Sequence, residues 1–291
     1  MSDLMIVEKD IFTKKEKAVC RLEKNSFGKI RTASHSKSNL AVKMLVVTLA
    51  VITAAAFWTF DYKEIDFAEA IAATFKNIKT VFLEPALKRE TIRGILYQLL
   101  VTFCLGTLST IFGAILALIC SLFCAANISS PTMARVIKSM IAVIRAVPTV
   151  LWVLIFAVSA GLGSVAAVIG LTFHSFAYLT KVYAESIEEI DSGTIEALRA
   201  SGANFWQIVC QAVLPATISY IVAWTFMRFE INFANAVAMG AAAGAGGVGY
   251  NLYMAGNFYF DLHEMGFLTY VVVVAVVVLE AISTKIKEWV K

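Results

Sequence analysis

Six stretches of this chain are apolar over about the length that a helix needs to cross a lipid bilayer. A transmembrane helix takes about twenty residues, and it must satisfy its own backbone hydrogen bonds because lipid offers no partner. The chain is 59% hydrophobic and only 16% charged, whereas soluble domains carry about 25% charged residues. These features predict an all-α polytopic membrane protein with six transmembrane helices, at residues 40–60, 94–126, 141–160, 164–183, 215–233 and 266–284.

The distribution of basic residues predicts which side of the membrane each loop faces. Residues 1–39 are polar and rich in lysine and arginine, and short basic segments recur at 127–140 and 285–291. Because lysine and arginine accumulate in cytoplasmic loops, we expect residues 1–39 to be a cytoplasmic arm and both termini to be cytoplasmic. A basic arm can also bind nucleic acid, but beside a membrane span it is more often this topological signal. Residues 61–93 are then external, with apolar residues at helical spacing that favour an amphipathic segment lying along the membrane.

The sequence EALRASGANFWQIVCQAVLP is the longest polar-rich break in the apolar C-terminal half. Thr194 precedes it as a candidate helix N-cap. Gly202 can end the first helix because glycine takes the left-handed conformation freely. Asn204 and Gln207 have the spacing of a capping box that starts a second helix. Pro215 closes the segment, which predicts two short helices joined by a sharp turn between two spans.

This pattern resembles the EAA loop of ABC importer permeases, which reads Glu-Ala-Ala, three residues, Gly, then nine residues to Ile-x-Leu-Pro. The residues that match are Glu196, Ala197, Gly202, Leu214 and Pro215. Leu198 replaces the second alanine, and Ala212 replaces the isoleucine. In the family the loop docks into a cleft on the ATPase subunit, so the resemblance implies a cytoplasmic coupling loop at 184–212. The alternative is an ordinary helix-turn-helix connector.

A second resemblance is to the phosphonate branch of these permeases, in which Arg-x-Glu-x-Asn precedes a Gly-Ala-Gly-Gly-Ile-Gly turn. The matching residues are Arg228, Glu230, Asn232, Gly244, Ala245, Gly246, Gly247 and Gly249, with Val248 for isoleucine. Arg145, Ala146, Val147 and Pro148 resemble the branch's Arg-Ala-Ile-Pro. The resemblance covers residues 95–265. The chain departs from it at 234–243, with Ala234 where the family often has arginine.

The glycine tract from Gly244 to Gly249 also fits the dinucleotide pattern G-x-G-x-x-G. That site needs a preceding strand and a βαβ unit, and here an apolar helix precedes the glycines. They therefore predict a backbone break between two spans. No P-loop pattern occurs in the sequence, so we expect no ATP hydrolysis by this chain. Asp261, His263 and Glu264 match no metal-site spacing, and we expect them to lie in an exposed loop.

Polar residues within the spans are costly in lipid and often functional. Arg145, Arg228, Glu230 and Asn232 are therefore candidates for the transport pathway or for a structural polar network. Arg228 and Glu230 are two residues apart, so they face different sides of a helix and each needs a partner elsewhere. Arg145 near the inner surface can alternatively anchor at lipid headgroups. His174 is expected to be a packed, hydrogen-bonded residue.

Together these features predict a type I ABC importer permease in a bacterial cytoplasmic membrane, in which residues 40–60 precede a core at 94–291. One coupling loop per chain implies a homodimer on two ATPase subunits, and the resemblance implies an extracytoplasmic phosphonate-binding protein. We expect no catalytic residue, cofactor, metal or nucleic acid. The alternatives are a permease for methionine or phosphate, an ion-coupled transporter, which needs inverted repeats, and a membrane enzyme, which needs clustered acid–base residues.

Overall fold

The computed structural model describes residues 37–59 and 66–290. All regular secondary structure in these two ranges is helical, and the expected fold class is confirmed. Residues 1–36 of the predicted arm at 1–39 lie outside the described residues, as do Phe60 at the end of the predicted first span and residues 61–65 of the predicted external segment. The helices are α1 (Lys37–Thr59), α2 (Phe67–Leu83), α3 (Ile92–Cys124), α4 (Pro131–Ala146), α5 (Thr149–Ala160), α6 (Ser164–Glu188), α7 (Ser192–Ala200), α8 (Phe205–Ile208), α9 (Leu214–Ala243), α10 (Gly247–Tyr253) and α11 (Leu262–Val290).

The chain divides into two compact units, at residues 1–67 and 68–291. Within the described part of the first unit, α1 is one apolar helix that is long enough to cross a membrane. The second unit contains four further helices of that kind, α3, α6, α11 and the continuous stretch that ends with α9, together with the bent pair α4–α5. The described residues therefore contain five helices that are long and apolar enough to cross a membrane, or six such segments if the bent pair is one span.

The second unit is built on close contacts between α3, α6 and α9. Glycines make these contacts possible because they let helix backbones approach each other. A Cβ atom on Gly113 of α3 would lie 2.7 Å from the Ser175 Cβ of α6. One on Gly170 of α6 would lie 2.6 Å from the Cα of Val153 in α5. Larger residues at either position would force the helices apart.

The predicted third span at 141–160 is not one helix, and this expectation is wrong. The chain bends by 89° between α4 and α5, with Arg145 in the last turn of α4 and Pro148 at the N-cap of α5. Proline has no N–H to continue a helix, and it disfavours helical geometry in the residue before it. With 12 residues, α5 is about 18 Å long and too short to cross alone.

The predicted fifth span begins earlier than expected. Helix runs continuously from Phe205 to Ala243, so Pro215 lies inside it and does not mark its start. A π-helical turn at Val209–Val213 ends two residues before this proline. Since proline cannot donate a backbone hydrogen bond and crowds the preceding turn, the wider turn accommodates the ring without breaking the helix.

The two ends of the bundle carry different loops. The loop end carries residues 125–130 and 189–204, and the far end carries residues 84–91 and 259–261. At the far end Glu264 is buried and accepts hydrogen bonds from the backbone N–H groups of Arg89 and Glu90, both at 3.0 Å. Asp261 pairs with Lys88 at 3.1 Å.

This far-end cluster corrects the expectation of an exposed loop around Asp261, His263 and Glu264. His263 contacts the backbone carbonyl of Glu84, and Asp261 caps the first turn of α11. Burial tends to raise the pKa of Asp261, but hydrogen bonds from Lys88 and from the first-turn amides outweigh it and the pKa lies below its ordinary value. The three side chains hold the start of α11 to the loop between α2 and α3, and no metal-binding group is found among the described residues.

Candidate functional site

The segment at 192–208 turns sharply between two helices, as predicted. The first, α7, is short, but the second is not, because the helix that starts at Phe205 continues to Ala243. The N-cap of α7 is Asp191, which accepts from the Thr194 N–H at 3.1 Å, so Thr194 is the third residue of the helix and not its cap. Gly202 has φ +85° and turns the chain. The capping box is confirmed. The Gln207 side chain accepts from the Asn204 N–H at 2.7 Å, and the Asn204 side chain accepts from the Gln207 N–H at 2.9 Å.

The loop has one buried face and one exposed face. Ile195 is buried in a hydrophobic cluster at the loop end of the bundle, and Leu198 and Phe205 pack against it. Glu196, Ala197 and Gly202 are exposed. The first set fixes the loop on the bundle, and the second set is available to a partner.

The last two residues of the motif are placed differently. Leu214 is half-buried and Pro215 exposed, and both lie in the first turn of α9. They therefore belong to the helix that follows the loop and not to the exposed part of the loop.

Polar contacts attach this loop to the α3–α4 connection. Arg199 Nη2 donates to the Asn127 carbonyl at 3.0 Å, and Asn127 Nδ2 donates to a carbonyl in the last turn of α6 at 2.7 Å. Glu188 accepts from the Ala126 N–H and from Lys138 of α4, both at 2.7 Å. These bonds connect α7 through the α3–α4 connection to the last turn of α6 and to Lys138 of α4.

A buried polar network crosses the middle of the bundle. Asn232 of α9 donates to Thr110 of α3 and to Ser175 of α6, both at 2.8 Å. Arg228 Nε donates to the same Ser175 hydroxyl at 3.0 Å. Arg228 and Asn232 are four residues apart, so they lie on one helix face. This network joins the three central helices through groups that would be costly to leave unpaired in lipid.

Two arginines contact the ring of Tyr178 on α6. The guanidinium carbon of Arg228 lies 5.1 Å from the ring centroid and that of Arg145 lies 5.7 Å from it. The two cations are therefore no more than about 11 Å apart, close enough to repel each other in a low-dielectric interior. Neither forms an ion pair within the described residues, and the buried Nη2 of Arg228 has no hydrogen-bond partner there. The ring partly offsets this positive charge.

Glu230 belongs to a different part of the bundle. It pairs with Lys287 of α11 at 3.4 Å, on another face of α9 from Arg228. The four predicted polar residues therefore divide into two sets. Arg145, Arg228 and Asn232 gather around α6, and Glu230 ties α9 to α11.

The glycine tract forms a tight reversal between α9 and α10. Gly244 and Gly246 have φ values of +62° and +79°. A Cβ atom on Gly249 would lie 1.8 Å from the Val237 carbonyl oxygen of α9. The backbone N–H of Gly247 is bonded by Gln98 of α3 at 3.1 Å. The glycines are thus a packed backbone break, and the N–H groups of Gly247 and Val248 at its end are already paired with side chains of α3.

Sequence reasoning missed three side chains of this site, Thr110, Ser175 and Tyr178. A signal was available for two of them, because Ser175 and Tyr178 are three residues apart and lie on one face of α6. The i, i+4 spacing of Arg228 and Asn232 also indicated that these two residues share one helix face. That these two faces meet follows only from the packing of the helices.

Comparison with known proteins identifies a family and several relatives. Residues 109–291 match the family described as binding-protein-dependent transport system inner membrane component. Over 153 residues, 52% of this chain, the sequence is 33% identical to the phosphate-import permease protein PhnE of Mycolicibacterium smegmatis. That alignment spans 29% of the relative's length. The sequence is 29% identical over 192 residues to the phosphite transport system permease protein PtxC of Stutzerimonas stutzeri, covering 66% of this chain and 69% of that protein.

A solved structure supports the same fold. An inward-facing conformation of the MetNI methionine ABC transporter matches with a TM-score of 0.63 and 22% identity, covering 70% of this chain and 100% of the matched one. At that identity the likeness concerns the helical architecture alone.

Proposed function

Because the chain belongs to the binding-protein-dependent transport system inner membrane component family, we propose that it is the permease subunit of an ATP-driven importer of phosphonate or phosphite. In this proposal the chain supplies the path through the inner membrane and performs no covalent chemistry. A separate ATPase binds ATP, and a separate extracytoplasmic protein delivers the solute.

The exposed face of α7 and α8 supports the role in coupling. Glu196, Ala197 and Gly202 are free on a loop that is fixed from behind by Ile195 and by the Arg199–Asn127 hydrogen bond. A partner that pushes on such a face moves the helix ends and not only the loop. One loop per chain then requires two chains for two ATPase subunits, which favours a homodimer. We place the loop and both termini on the cytoplasmic side.

The pair of arginines around Tyr178 is the observation that carries the substrate class. Arg228 is buried and Arg145 partly buried, and neither has a carboxylate partner among the described residues, although buried cations are normally paired. An anion that passes these two arginines supplies the opposite charge that they lack. The named activities of the two relatives, phosphate import and phosphite transport, both concern phosphorus oxyanions. The resemblance at residues 228–249 adds phosphonate to this class.

Alternating access then follows from how the loop is attached. ATP closes the two ATPase subunits, the coupling loops move with them, and the bundles open outward toward the loaded binding protein. Tight binding by the permease itself would slow release, so selectivity should reside mainly in the binding protein. The cations in the bundle lower the barrier to an anion that an apolar core would otherwise exclude.

Growth of a deletion strain tests this function. A strain without the gene should fail to grow on a low concentration of a phosphonate or phosphite as sole phosphorus source, and it should grow normally on ample phosphate. The chain with Arg135→Gln, an exposed change on α4, should restore growth. Unchanged uptake of every phosphonate and of phosphite in the deletion strain would contradict the substrate.

Phosphate itself is the second candidate, because the similar M. smegmatis protein is named a phosphate importer. A competition experiment distinguishes phosphate from phosphonate or phosphite as the substrate. Excess unlabelled phosphate should leave uptake of labelled phosphite largely unaffected if phosphonate or phosphite is the substrate, and should abolish it if phosphate is.

A further inference from the structure

A cavity of about 340 Å³ lies between α4 and α6 near the loop end. Five charged side chains line it, and these are Lys138, Arg145, Lys181, Glu185 and Glu188. The two lysines are about half exposed, so water and small ions reach the cavity. Its volume falls within the range of pockets that hold small molecules.

The charges in this cavity do not balance. Lys138 pairs with Glu188 at 2.7 Å, and Lys181 pairs with Glu185 at 3.3 Å. Arg145 is the remaining cation, and it has no carboxylate partner in the described part of the chain. The cavity therefore carries one positive charge in excess on a guanidinium group.

The ring of Tyr178 contacts Arg145 and restrains its guanidinium group. Its guanidinium carbon lies 5.7 Å from the centroid of the Tyr178 ring, and Arg228 lies against the same ring. A planar guanidinium whose geometry is held presents parallel N–H donors that match the oxygens of a phosphate or phosphonate group. The repulsion from Arg228 is reduced when an anion binds beside Arg145.

We propose that this cavity is a binding site for a phosphorus oxyanion, with Arg145 as its principal ligand. The occupant is either the transported solute on its way to the loop side or the phosphate of a lipid headgroup, since both present the same chemistry. The assignment to the solute rests on the proposed function. The two lysines supply further donors when their glutamate partners turn away.

Protection of a cysteine within the cavity tests the site. Ala142 lines the cavity and is exposed, so Ala142→Cys is introduced into the full chain, assembled with its transporter subunits, after replacement of the native cysteines. Phosphite, methylphosphonate or phosphate should slow labelling by a thiol reagent several-fold, and chloride at equal ionic strength should not. A cysteine at Ser139, which does not line the cavity, should label at the same rate with or without these anions.

Two charge variants connect the protection to Arg145. Arg145→Gln should abolish it, whereas Arg135→Gln on the same helix should leave it intact. Glu185→Gln releases Lys181 and should lower the anion concentration needed for half-protection a few-fold. A misfolded protein cannot produce that gain, so this variant tests the site even where Arg145→Gln fails to assemble.

The membrane environment separates the two sources of the anion. Protection by free anions in both lipid-free detergent and phosphatidylglycerol nanodiscs assigns the site to the solute. Protection by added phosphatidylglycerol alone assigns it to a headgroup. Labelling that no phosphorus oxyanion changes, or protection that survives Arg145→Gln, overturns the proposal. Failure of the proposed function appears separately, as phosphonate and phosphite growth that does not depend on the gene.

Discussion

Gly202 offers a direct test of the coupling loop, because its constraint is conformational and not steric. Its φ is +85°, and a Cβ atom added there would meet nothing within 4 Å. An L-residue in the left-handed region costs about 1–2 kcal/mol. That energy changes the ratio of turned to unturned loop by roughly 5–30-fold. Gly202→Val should destabilise the turned loop by at least this free energy. Gly202→Asn should destabilise it much less, because asparagine tolerates the conformation.

The assay is the number of solute molecules imported per ATP hydrolysed by the complete transporter in liposomes. The valine variant should insert and assemble normally, keep basal ATP hydrolysis, and import several-fold less solute per ATP. The asparagine variant should stay close to the parent chain.

Gly161, in the turn between α5 and α6, provides the control away from the loop. It also has a positive φ, +78°, and open surroundings, so Gly161→Val strains the backbone there without a steric clash. Unchanged import per ATP in the Gly202→Val variant would refute the role of the turn. So would an equal loss of coupling in the Gly161→Val variant, because the effect would then be general destabilisation.

Three further predictions follow from other parts of the chain. Single cysteines within 184–212 should label only from the cytoplasmic side and those within 61–93 only from outside, and the reverse pattern would invert the topology. The pKa of Asp261 is lowered on folding, so its stabilising contribution is present above its unfolded pKa and is lost as pH falls through the folded pKa; the acid decline in Tm should therefore be steeper for the parent than for Asp261→Asn. Gly249→Ala should prevent folding, since its methyl would overlap a carbonyl of α9, whereas Gly244→Ala, strained but unobstructed, should still yield monodisperse protein on size-exclusion chromatography.

The features that the sequence predicted correctly are those with local causes. The helical spans follow from apolar length, and the α7–α8 turn follows from one glycine and the reciprocal bonds of Asn204 and Gln207. Local signals gave the wrong prediction where one sequence pattern was compatible with two structures. Proline inside a helix kinks or breaks it, so Pro148, the eighth residue of the predicted span at 141–160, was a signal for the observed bend that the continuous apolar run concealed. Pro215 was compatible with a helix start, and the π turn that absorbs it has no simple sequence signal.

The candidate site was predictable only in part, for a different reason. The composition of the spans singled out Arg145, Arg228 and Asn232 as costly in lipid. Tyr178, the common neighbour of the two arginines, has nothing unusual in its own sequence context. It becomes notable only when the packing of α4, α6 and α9 brings two cations to one ring. Likewise Glu264 is ordinary in sequence, and only the fold shows a buried carboxylate bonded by two backbone N–H groups.

The attachments of the coupling loop also bear on the cavity at its end of the bundle. Arg199 of the loop bonds the Asn127 carbonyl, and the adjacent Ala126 N–H bonds Glu188. Glu188 in turn pairs with Lys138, and both line the cavity. A movement of the loop therefore acts on an ion pair in the cavity wall, without passing through the middle of the membrane. Because coupling between binding sites is reciprocal, an anion held beside Arg145 should change the affinity of the assembled transporter for ATP by the same factor that ATP changes the affinity for the anion.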